Sequence, residues 1–447
     1  MRRIAVYRLA ELSPGDRRRI LERATAEVFE PKLLASVGEL VGDVRAHGDD
    51  AVCRALARFD GVECAPERLR VSEEEFAAAR TELAPDVLAA IRLGIARSRA
   101  FNERVLEGAS WSAELAPGVL VGEQARPIAS AGLFVPSGKG SFPSVLVQIG
   151  TPAVVAGVPS VAVVVPPSAG RGLGVDPAVL VVADELGLRD VFRANGPAGI
   201  AACAFGTETF PRVLKVVGPG SPAVTAAQIL VQASGCSTVM LFGPSESLIV
   251  ADDSADPAVL AADYLTEAEH GLDSAAVLVT PSEELLAAVE REVELQLEAL
   301  PGWRREFAEA AISRFGGAIL VRDLDEACAF ANEYAPEHLQ LVTADPEALL
   351  SKLDHAGEIL LGPTPFAAAN YVLGIPATLP TGGFARVSSG VSARTFVKTS
   401  SLGRLSAEAL ARLAPGVVAL AEHEGFPAHA NAIRIRGLGN RRVRRPD

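Results

Sequence analysis

The chain is poor in aromatic residues, cysteine and histidine for its 447 residues. Aromatic side chains make up 5% of it, and there are five cysteines and six histidines. The cysteines are odd in number and dispersed, with no Cys-x-x-Cys pair. This argues against a disulfide framework and predicts reduced thiols in a cytoplasmic protein. With so few histidines, the position of each one is informative.

Positive charge is also in deficit. The formal net charge is −13 and the isoelectric point is about 5.1. Such a field repels phosphate backbones, so nucleic acid is not an expected partner. The basic run "RRVRR" at residues 441–445 is a local exception. A short run of this kind is typical of a solvated terminus, and we assign it no function.

Charged residues are missing altogether between Lys139 and Arg171. The span is long enough for a membrane helix, but five prolines cut it into pieces. Its Val-rich segment "SVAVVVPP" is typical of a strand that is buried on both faces. The N-terminus lacks the long apolar core of a signal peptide. We therefore expect a protein that is not associated with a membrane.

Several well-known motifs are absent. There is no GxGxxG fingerprint, because "GRGLGVDP" lacks the third glycine, and "GLFVPSGKGS" has the wrong spacing for a Walker A loop. No GxSxG elbow or Cys-His signature supports covalent hydrolase chemistry. The loop "PSGKGS" could still present backbone N–H groups to a phosphate. A flexible turn explains this loop equally well.

A regular alternation of strands and helices is present. Helical periodicity dominates up to about residue 110 and returns from about residue 400. Between these limits, short apolar runs predict strands at "SVAVVV", "DVFRAN", "STVMLFGPSE", "AAVLVT", "AILV", "LQLV" and "EILLG". Thr280 and Glu283 predict a capping box, with Pro281 at the first helical position. Short apolar strands that alternate with helices indicate an α/β fold with mainly parallel sheets.

The stretch "NEYAPEHLQLV" places Glu337 and His338 side by side, between a helix and an apolar strand. Pro336 stiffens the chain before them and disfavours helix at Ala335. A Glu-His pair in this position is a candidate acid/base pair. A solvated corner is the alternative that the stretch leaves open.

Two other stretches carry histidines beside carboxylates. Glu267 and His270 are three residues apart, so on a helix they share a face and can chelate a metal ion. A solvated helix face accounts for such a pair more often. Glu424 and His429 lie near the C-terminus in "AEHEGFPAHANA", where surface histidines are common.

Eight motifs occur in an order that resembles the histidinol dehydrogenase family, over about residues 30 to 440. They are "GLFVPSGKGSFPSVL", "FGTETFP", "VVGPGS", "FGPSE", "AEHGLDS", "NEYAPEHLQL", "LPTGGFAR" and "AHANAIRIR". The resemblance implies an NAD-linked, zinc-dependent oxidoreductase of histidine biosynthesis that converts L-histidinol to L-histidine through an aldehyde. It also implies a homodimer that takes a small-molecule substrate and swaps small terminal segments between its subunits.

The family's fold implies an α/β chain with two incomplete Rossmann-like domains and small helical N- and C-terminal segments. Residues 1–27 would form an N-terminal arm. Residues 28–132 and 245–392 would form the first domain, with the acid/base pair and the metal ligands. Residues 133–244 would form the second domain, on the NAD side. Residues 393–447 would form a C-terminal segment that contributes to the partner's active site.

The resemblance also implies roles for individual residues. His338 matches the family's general base, and Glu337 matches the residue that activates water for the second oxidation. The implied metal ligands are Glu267, His270, Asn370 and His429. The implied substrate contacts are Ser245, Glu267, His270, His338, Asn370, Glu424 and His429. The implied cofactor contacts are Phe134, Ala198 and Ser221.

Some matching positions depart from the family pattern. The metal ligands of the family are Gln, His, Asp and His, so Glu267 replaces a glutamine and Asn370 an aspartate. The two changes cancel in charge, and both ligand sets suit zinc. Phe134, Ala198 and Ser221 replace Tyr, Gln and Asn. Ala377 replaces a histidine on the substrate side.

Three functions stay open on these residues. The first is a metal-dependent, NAD-linked dehydrogenase that acts on L-histidinol. The second is a paralogue that oxidises another small amino alcohol or diol, which the altered residues Phe134, Ala198, Ser221 and Ala377 favour. The third is a catalytically silent member that is kept as a binding or scaffold protein. The intact pair of Glu337 and His338 argues against the third.

Overall fold

A computed structural model describes residues 4–23, 29–137, 140–239 and 243–437. The chain divides into two compact units. The first unit consists of Met1–Arg104 and Ile128–Phe396, and the second consists of Val105–Pro127 and Val397–Asp447. Lys139 of the loop "PSGKGS" and the basic run at 441–445 lie outside the described residues.

The first unit contains a six-stranded parallel sheet with the order β1-β10-β9-β8-β11-β12. Its strands are β1 (Val6–Arg8), β8 (Glu246–Ala251), β9 (Ala275–Thr280), β10 (Gly317–Leu320), β11 (His338–Val342) and β12 (Glu358–Leu361). Strands β8, β9 and β10 are buried throughout, as is typical of a parallel sheet covered on both faces.

The first unit also contains a four-stranded parallel sheet with the order β6-β5-β4-β7. Its strands are β4 (Ser130–Phe134), β5 (Ser160–Val165), β6 (Asp190–Arg193) and β7 (Lys215–Val217). Strand β5 is the Val-rich run predicted to be buried, and five of its six residues are buried. Together the two sheets confirm the predicted α/β fold with mainly parallel sheets.

The second unit contains an antiparallel sheet with the order β13-β3-β2. Its strands are β2 (Trp111–Ala116), β3 (Val119–Pro127) and β13 (Val397–Leu405). We expected the C-terminal segment to be helical, so the strand over residues 397–405 is a correction. Its residues alternate without a marked apolar face, and pairing with β3 rather than burial holds it extended.

Fifteen α-helices connect these strands in the described part of the chain. They are α1 (Pro14–Glu22), α2 (Pro31–Ala55), α3 (Glu73–Glu82), α4 (Pro85–Leu106), α5 (Pro143–Ala156), α6 (Pro177–Glu185), α7 (Gly196–Phe205), α8 (Pro222–Gln232), α9 (Pro257–Thr266), α10 (Glu283–Ala299), α11 (Gly302–Ala310), α12 (Leu324–Tyr334), α13 (Phe366–Ala368), α14 (Ala407–His423) and α15 (Pro427–Arg434). Many begin with proline, which suits the first helical turn because its missing N–H has no intrahelical partner there.

Two local predictions differ from the structure. Helix α10 begins at Glu283, and the hydroxyl oxygen of Ser282 accepts the N–H of Leu285 at 3.1 Å, because β9 still includes Thr280. The described part of "STVMLFGPSE" contains only an isolated bridge from Ser237 to β7. The strand of this region is β8, which begins at the last residue of that run, Glu246.

Helix α2 packs against α7 and α8, over the four-stranded sheet. Residues such as Val41, Val44 and Val52 therefore share a core with Phe134 and Phe192. This differs from the expected grouping of residues 28–132 with residues 245–392. An amphipathic period shows that a helix covers an apolar surface, but it does not show which sheet provides that surface.

The N-terminal residues also join a sheet instead of forming a separate arm, because β1 pairs with β10 at the edge of the six-stranded sheet. The five cysteines are free thiols. Within the described ranges, no helix combines the length and apolarity needed to cross a membrane.

Candidate functional site

The acid/base pair lies on a tight turn between α12 and β11. Helix α12 ends at Tyr334, and Ala335 adopts the left-handed conformation with φ 49° and ψ 67°. For a residue with a Cβ atom this backbone costs on the order of 1 kcal/mol or more, and it persists where surrounding contacts hold it. Pro336 then leads to Glu337 and to His338, which opens β11. Both side chains are buried, which excludes the solvated corner.

His338 is fixed by a glutamate on the neighbouring strand. Its Nδ1 lies 2.5 Å from Oε1 of Glu358, which opens β12 in register with His338. An ionised carboxylate can only accept, so Nδ1 carries the proton and donates it. The lone pair of the neutral ring is then on Nε2, which lies 3.7 Å from Oε1 of Glu337. This tautomer leaves Nε2 as the basic nitrogen.

Glu337 is held by a second buried glutamate. Its Oε2 accepts the backbone N–H of Glu246 at 3.0 Å, and Oε1 of Glu246 accepts the backbone N–H of Glu337 at 3.2 Å. The Nε atom of Arg23 lies 2.7 Å from Oε2 of Glu246, and both side chains are buried. The carboxylate of Glu337 therefore has a defined orientation beside the imidazole.

Three of the four proposed metal ligands converge close by. Glu267 follows α9, and its Oε2 lies 3.2 Å from Nδ1 of His270, one 3-10 turn further along. Asn370, in the helical turn after α13, donates from Nδ2 to Oε1 of Glu267 at 2.8 Å. The Oγ of Ser245 lies 3.0 Å from Nδ1 of His270. Four of the residues implied by the resemblance thus form one cluster.

Two observations indicate that this cluster is suited to a divalent cation. Glu267 is 1% exposed, and its Oε2 has no hydrogen-bond donor, because the contact with His270 lacks hydrogen-bond geometry. In addition, the carboxylates of Glu246, Glu267, Glu337 and Glu358 are all buried around His338, whereas Arg23 is the permanent cation beside them. Buried negative charge in such excess calls for a positive ion.

The described residues contain no group of three or more Cys, His, Asp or Glu side chains arranged to hold a metal ion. This agrees with the composition of the cluster. One of its three members is the amide Asn370, which such a group does not include. The fourth implied ligand, His429, belongs to the second unit. Oδ1 of Asn370 stays available to a cation because its Nδ2 makes the bond to Glu267.

The buried carboxylates around Glu337 and His338 shift the pKa values of both side chains. Burial raises the pKa of Glu337 to about 8, and the charges of Glu267 and Glu246 act in the same direction. Burial opposes charge on His338, but the carboxylates of Glu267, Glu358 and Glu337 outweigh it and raise the pKa of the imidazole to about 10. A cation on Glu267 offsets one of these carboxylates and lowers the pKa of His338 towards the value that a base needs.

The site lies at the amino-terminal ends of the neighbouring strands β8, β11 and β12. Ser247 of β8, His338 of β11 and Glu358 of β12 are register partners across the sheet. Side chains of register partners in a parallel sheet point to the same face. The ring of His338 also makes an edge contact with Phe366, with the ring centres 5.7 Å apart.

The three proposed cofactor residues lie at the carboxyl edge of the four-stranded sheet. Phe134 ends β4, Ala198 is in the first turn of α7 and Ser221 precedes α8. Phe134 and Ala198 are buried in the core, whereas Ser221 is exposed and its side chain makes no capping hydrogen bond. Of the three, Ser221 therefore presents a free polar group.

The topology of this sheet has a switch point at the same edge. The chain runs from β4 to β5 and β6 on one side, and β7 lies on the other side of β4. Helices α5 and α6 contact each other, whereas α7 and α8 contact α2. The loops after β4 and β7 therefore lead to opposite layers, which is where dinucleotides bind to open parallel sheets. We propose that the cofactor phosphates lie at the N-terminus of α8, where the N-cap Ser221 makes no side-chain cap and a helix start suits an anion.

Glu424 and His429 lie in the second unit. Glu424 follows the last residue of α14, and His429 is in the first turn of α15. Both are exposed, and the ring of His429 lies 5.2 Å from that of Phe426. Ala377 is in the first unit, and its backbone N–H donates to Oε1 of Gln148 at 3.2 Å.

Three further residues belong to the site and were not predicted from the sequence. Glu358 opens an otherwise apolar strand, and a lone carboxylate at that position was a usable signal. Glu246 is the last residue of the quoted motif "FGPSE", and its own role was not considered. Arg23 gave no signal, because it directly follows a polar helix that already contains several arginines.

Comparison with known proteins gives a consistent result. The profile of the family described as histidinol dehydrogenase matches residues 23–437. The histidinol dehydrogenase of Synechocystis sp. is 41% identical over 433 residues, which cover 96% of this chain and 98% of that one. The histidinol dehydrogenase homolog 2 of Mesorhizobium japonicum is 40% identical over 434 residues, which cover 96% and 97% of the two chains.

A solved structure is also similar. The crystal structure of histidinol dehydrogenase from Elizabethkingia anophelis superposes with a TM-score of 0.89 at 31% identity, and the match covers 97% of each chain. The similarity in sequence and fold therefore extends over nearly the whole chain.

Proposed function

We propose that this chain, which belongs to the histidinol dehydrogenase family, oxidises L-histidinol to L-histidine through the aldehyde. Members of the family are NAD-dependent oxidoreductases that use Zn²⁺, and this chain is an enzyme of that class. The observation that carries the choice of reaction is the buried pair of Glu337 and His338, with Nε2 of the imidazole 3.7 Å from the carboxylate. Two such groups suit two successive oxidations.

The first oxidation needs a base for the alcohol proton. His338 serves through Nε2, because Glu358 holds the proton on Nδ1. The alcohol O–H bond breaks with its proton passing to Nε2, and the C–H bond breaks with its hydride passing to NAD⁺. The aldehyde and NADH are the products. The charge of Glu358 stabilises the imidazolium that forms.

The second oxidation needs a water molecule as nucleophile. Glu337 takes a proton from this water as the oxygen adds to the aldehyde carbon. The resulting hydrate anion transfers its hydride to a second NAD⁺ and becomes the carboxylic acid, which loses its proton to solvent and leaves as the carboxylate. A carboxyl group with a pKa raised to about 8 is a stronger base than a solvated glutamate.

The residues that would hold Zn²⁺ are Glu267, His270, Asn370 and His429. A bound zinc ion supplies Lewis-acid polarisation of the substrate oxygen. Glu267 and Asn370 are hydrogen-bonded at 2.8 Å, which supports the idea that one carboxylate and one amide have exchanged places. With aspartate in place of Asn370, two carboxylates would face each other at about this distance. With glutamine in place of Glu267, the ligand set would contain no carboxylate.

His429 and Glu424 motivate a proposal about assembly. Both are exposed in the second unit of the single chain. We propose a homodimer in which the C-terminal segment of each subunit completes the site of its partner. Hybrid dimers of a His338→Ala subunit and a His429→Ala subunit would then recover part of the activity, because one of their two sites holds both native residues.

A second candidate function has an observation in its favour. Ala377 stands where the family has a substrate-side histidine, and several similar proteins are named only as homologs. An enzyme with the same acid/base pair but another small amino alcohol or diol as substrate would fit this change. The chemistry of Glu337 and His338 is the same in both cases.

The deciding experiment measures NADH formation by the zinc-loaded protein with L-histidinol, its aldehyde and a panel of amino alcohols and diols. We expect two NADH per L-histidinol and L-histidine as the product, identified by mass. Efficient turnover of another alcohol and none of L-histidinol would establish the second candidate instead. Absence of NADH with every compound would refute both.

A further inference from the structure

Two residues other than glycine have positive φ in the described part of the chain, and they meet at one place. They are Arg23, with φ 51°, and Ala335, with φ 49°. Arg23 follows α1, and Ala335 begins the turn that presents Glu337 and His338. Nη2 of Arg23 donates to the carbonyl oxygen of Tyr334 at 2.5 Å, directly before Ala335. Backbone of this kind persists only where its surroundings hold it.

The guanidinium of Arg23 holds this turn in more than one way. Its central carbon lies 3.6 Å from the centre of the Tyr334 ring, which is cation–π distance. Nη1 donates to the carbonyl oxygen of Leu21 at 3.0 Å. Nε lies 2.7 Å from Oε2 of Glu246 in an ionic contact without hydrogen-bond alignment. Both Nη atoms and one face of this buried group therefore have partners, and Nε lies in ionic contact with Glu246.

Glu246 transmits this contact to Glu337. It exchanges two bonds with Glu337, each backbone N–H donating to the carboxylate of the other residue at 3.0 Å and 3.2 Å. Without Arg23, no permanent cation among the described residues would lie beside the buried carboxylates of Glu246 and Glu337. Repulsion between like charges would then favour rotation of one carboxylate away from the other.

We propose that Arg23, acting through Glu246 and the carbonyl oxygen of Tyr334, is the positioning residue for the carboxylate of Glu337. It does not touch the substrate. It sets the direction in which Oε1 of Glu337 faces the imidazole and the attacking water. This inference rests on the proposed role of Glu337 in the second oxidation. It predicts that loss of Arg23 slows the aldehyde step more than the alcohol step.

The competing explanation is a structural staple between the N-terminal segment and α12. A staple would lower stability and would slow both oxidation steps by the same factor. Orientation of Glu337 affects the water-dependent step selectively, because the alcohol step uses His338, which Glu358 holds independently. The ratio of the two rates therefore separates the two explanations.

The experiment compares Arg23→Ala and Arg23→Lys with the parent and with Arg18→Ala. Arg18 is a matched control because it lies in α1 and is exposed, with only a 3.9 Å contact to Glu22. Rates are measured separately from the alcohol and from the aldehyde, using whichever pair the parent oxidises. Circular dichroism confirms that each variant is folded, and Arg23→Lys keeps the charge if Arg23→Ala does not fold.

We expect Arg23→Ala to lower kcat for aldehyde oxidation by about 10- to 100-fold, as for a displaced catalytic group, and kcat for alcohol oxidation by less than about 3-fold. KM stays close to the parental value in both cases. Low, non-denaturing concentrations of guanidinium should restore part of the lost rate, because the ion can occupy the vacated space. Arg18→Ala should match the parent.

A second readout does not depend on activity. Hydrogen exchange of the backbone amides of Glu246 and Glu337 reports directly on their reciprocal bonds, and it should accelerate in Arg23→Ala but not in Arg18→Ala. Parental exchange at both amides, or an equal loss of both oxidation rates without response to guanidinium, would overturn the positioning role. If the parent oxidised none of the compounds, the proposed function would fail, and the exchange rates would still decide whether Arg23 holds Glu337.

Discussion

The two parallel sheets of the first unit carry their candidate sites on opposite edges. In the four-stranded sheet, the proposed cofactor site is the switch point at the carboxyl ends of β4 and β7, where open α/β sheets usually bind ligands. In the six-stranded sheet, Glu246, His338 and Glu358 stand at the amino ends of β8, β11 and β12. The first site is built from loop backbone and helix ends. The second is built from buried ionisable side chains.

This difference separates binding from chemistry. A dinucleotide can be held by backbone N–H groups at a helix N-terminus, so the side chains at Phe134 and Ala198 can become apolar without loss of those donors. Proton transfer cannot be delegated to backbone, because it needs groups with suitable pKa values in fixed positions. The six-stranded sheet therefore keeps its charged residues buried at a considerable cost in solvation.

Two buried arginines, one in the four-stranded sheet and one beside the acid/base pair, show the same difference between the two sites. Arg193 of β6 donates to the carbonyl oxygens of Arg68, Arg70 and Leu173 at 2.7 to 3.1 Å. These contacts join loops and concern no candidate catalytic residue. Arg23 has fewer backbone partners, and instead contacts the glutamate that holds Glu337.

The largest effect is expected at the acid/base pair, at the amino ends of the strands of the six-stranded sheet. His338→Ala should lower kcat by about 100-fold or more with little change in KM, because it removes the base but not the substrate contacts of other residues. His355→Ala is the matched control, since that histidine lies in the loop before β12 and only its backbone N–H makes a hydrogen bond, to Asn332. Near-parental turnover of His338→Ala, measured as NADH formation, would end the assignment of the base.

Glu337→Gln tests whether Glu337 and His338 serve different oxidation steps. The amide keeps the size of the side chain but cannot take a proton from water. We expect the aldehyde-to-acid step to slow by about 10- to 100-fold more than the alcohol step. Stopped-flow rates from the alcohol and from the aldehyde measure the two steps separately. Equal losses would show that Glu337 does not activate water.

The next effect concerns the metal ligands. Glu267→Gln leaves the set without a carboxylate and should weaken zinc binding by about 100-fold, whereas Asn370→Asp adds a second carboxylate and raises repulsion at the 2.8 Å contact. The double variant should return close to the parental affinity, so the effects are non-additive. Calorimetric titration of zinc into the four metal-free proteins tests this. A parent that binds no divalent ion would refute the compensated site.

A smaller effect is expected at Glu358. Glu358→Gln removes the charge that holds the Nδ1 proton and should lower kcat by about 10-fold, by weakening the favoured tautomer and the imidazolium. Combined with His338→Ala it should add almost nothing, since both act through one base. Independent, multiplicative losses in the double variant would contradict the proposed dyad.

The smallest effect is expected at the proposed cofactor site, at the carboxyl ends of the strands of the four-stranded sheet. Ser221→Asp places a negative charge at the start of α8, where the cofactor phosphates are proposed to lie. It should raise KM for NAD⁺ by about 10-fold through repulsion and leave KM for the alcohol unchanged. Ser237→Asp is the control, because Ser237 lies near the amino end of β7. An unchanged KM for NAD⁺ in Ser221→Asp would place the cofactor elsewhere.

The sequence alone determined most of the elements. Largely apolar runs such as "AAVLVT", "LQLV" and "EILLG" marked β9, β11 and β12, because the strands of a parallel sheet covered by helices are mostly apolar. The Glu337–His338 pair and the Glu267–His270 spacing were also visible, since both are local. Strand β13 was not visible, because pairing with β3 rather than its own apolar pattern holds it extended.

Only the tertiary structure decided how distant residues meet. Glu358 is twenty positions beyond His338 in sequence, but strand register places the two in hydrogen-bond contact. Glu246 reaches Glu337 for the same reason, and Arg23 arrives from the N-terminal segment. Helix α2 likewise covers a sheet that its periodicity could not identify. Local patterns fix periodicity and turns, whereas register and packing arise from the whole chain, and the surroundings that tune a catalytic group depend on the latter.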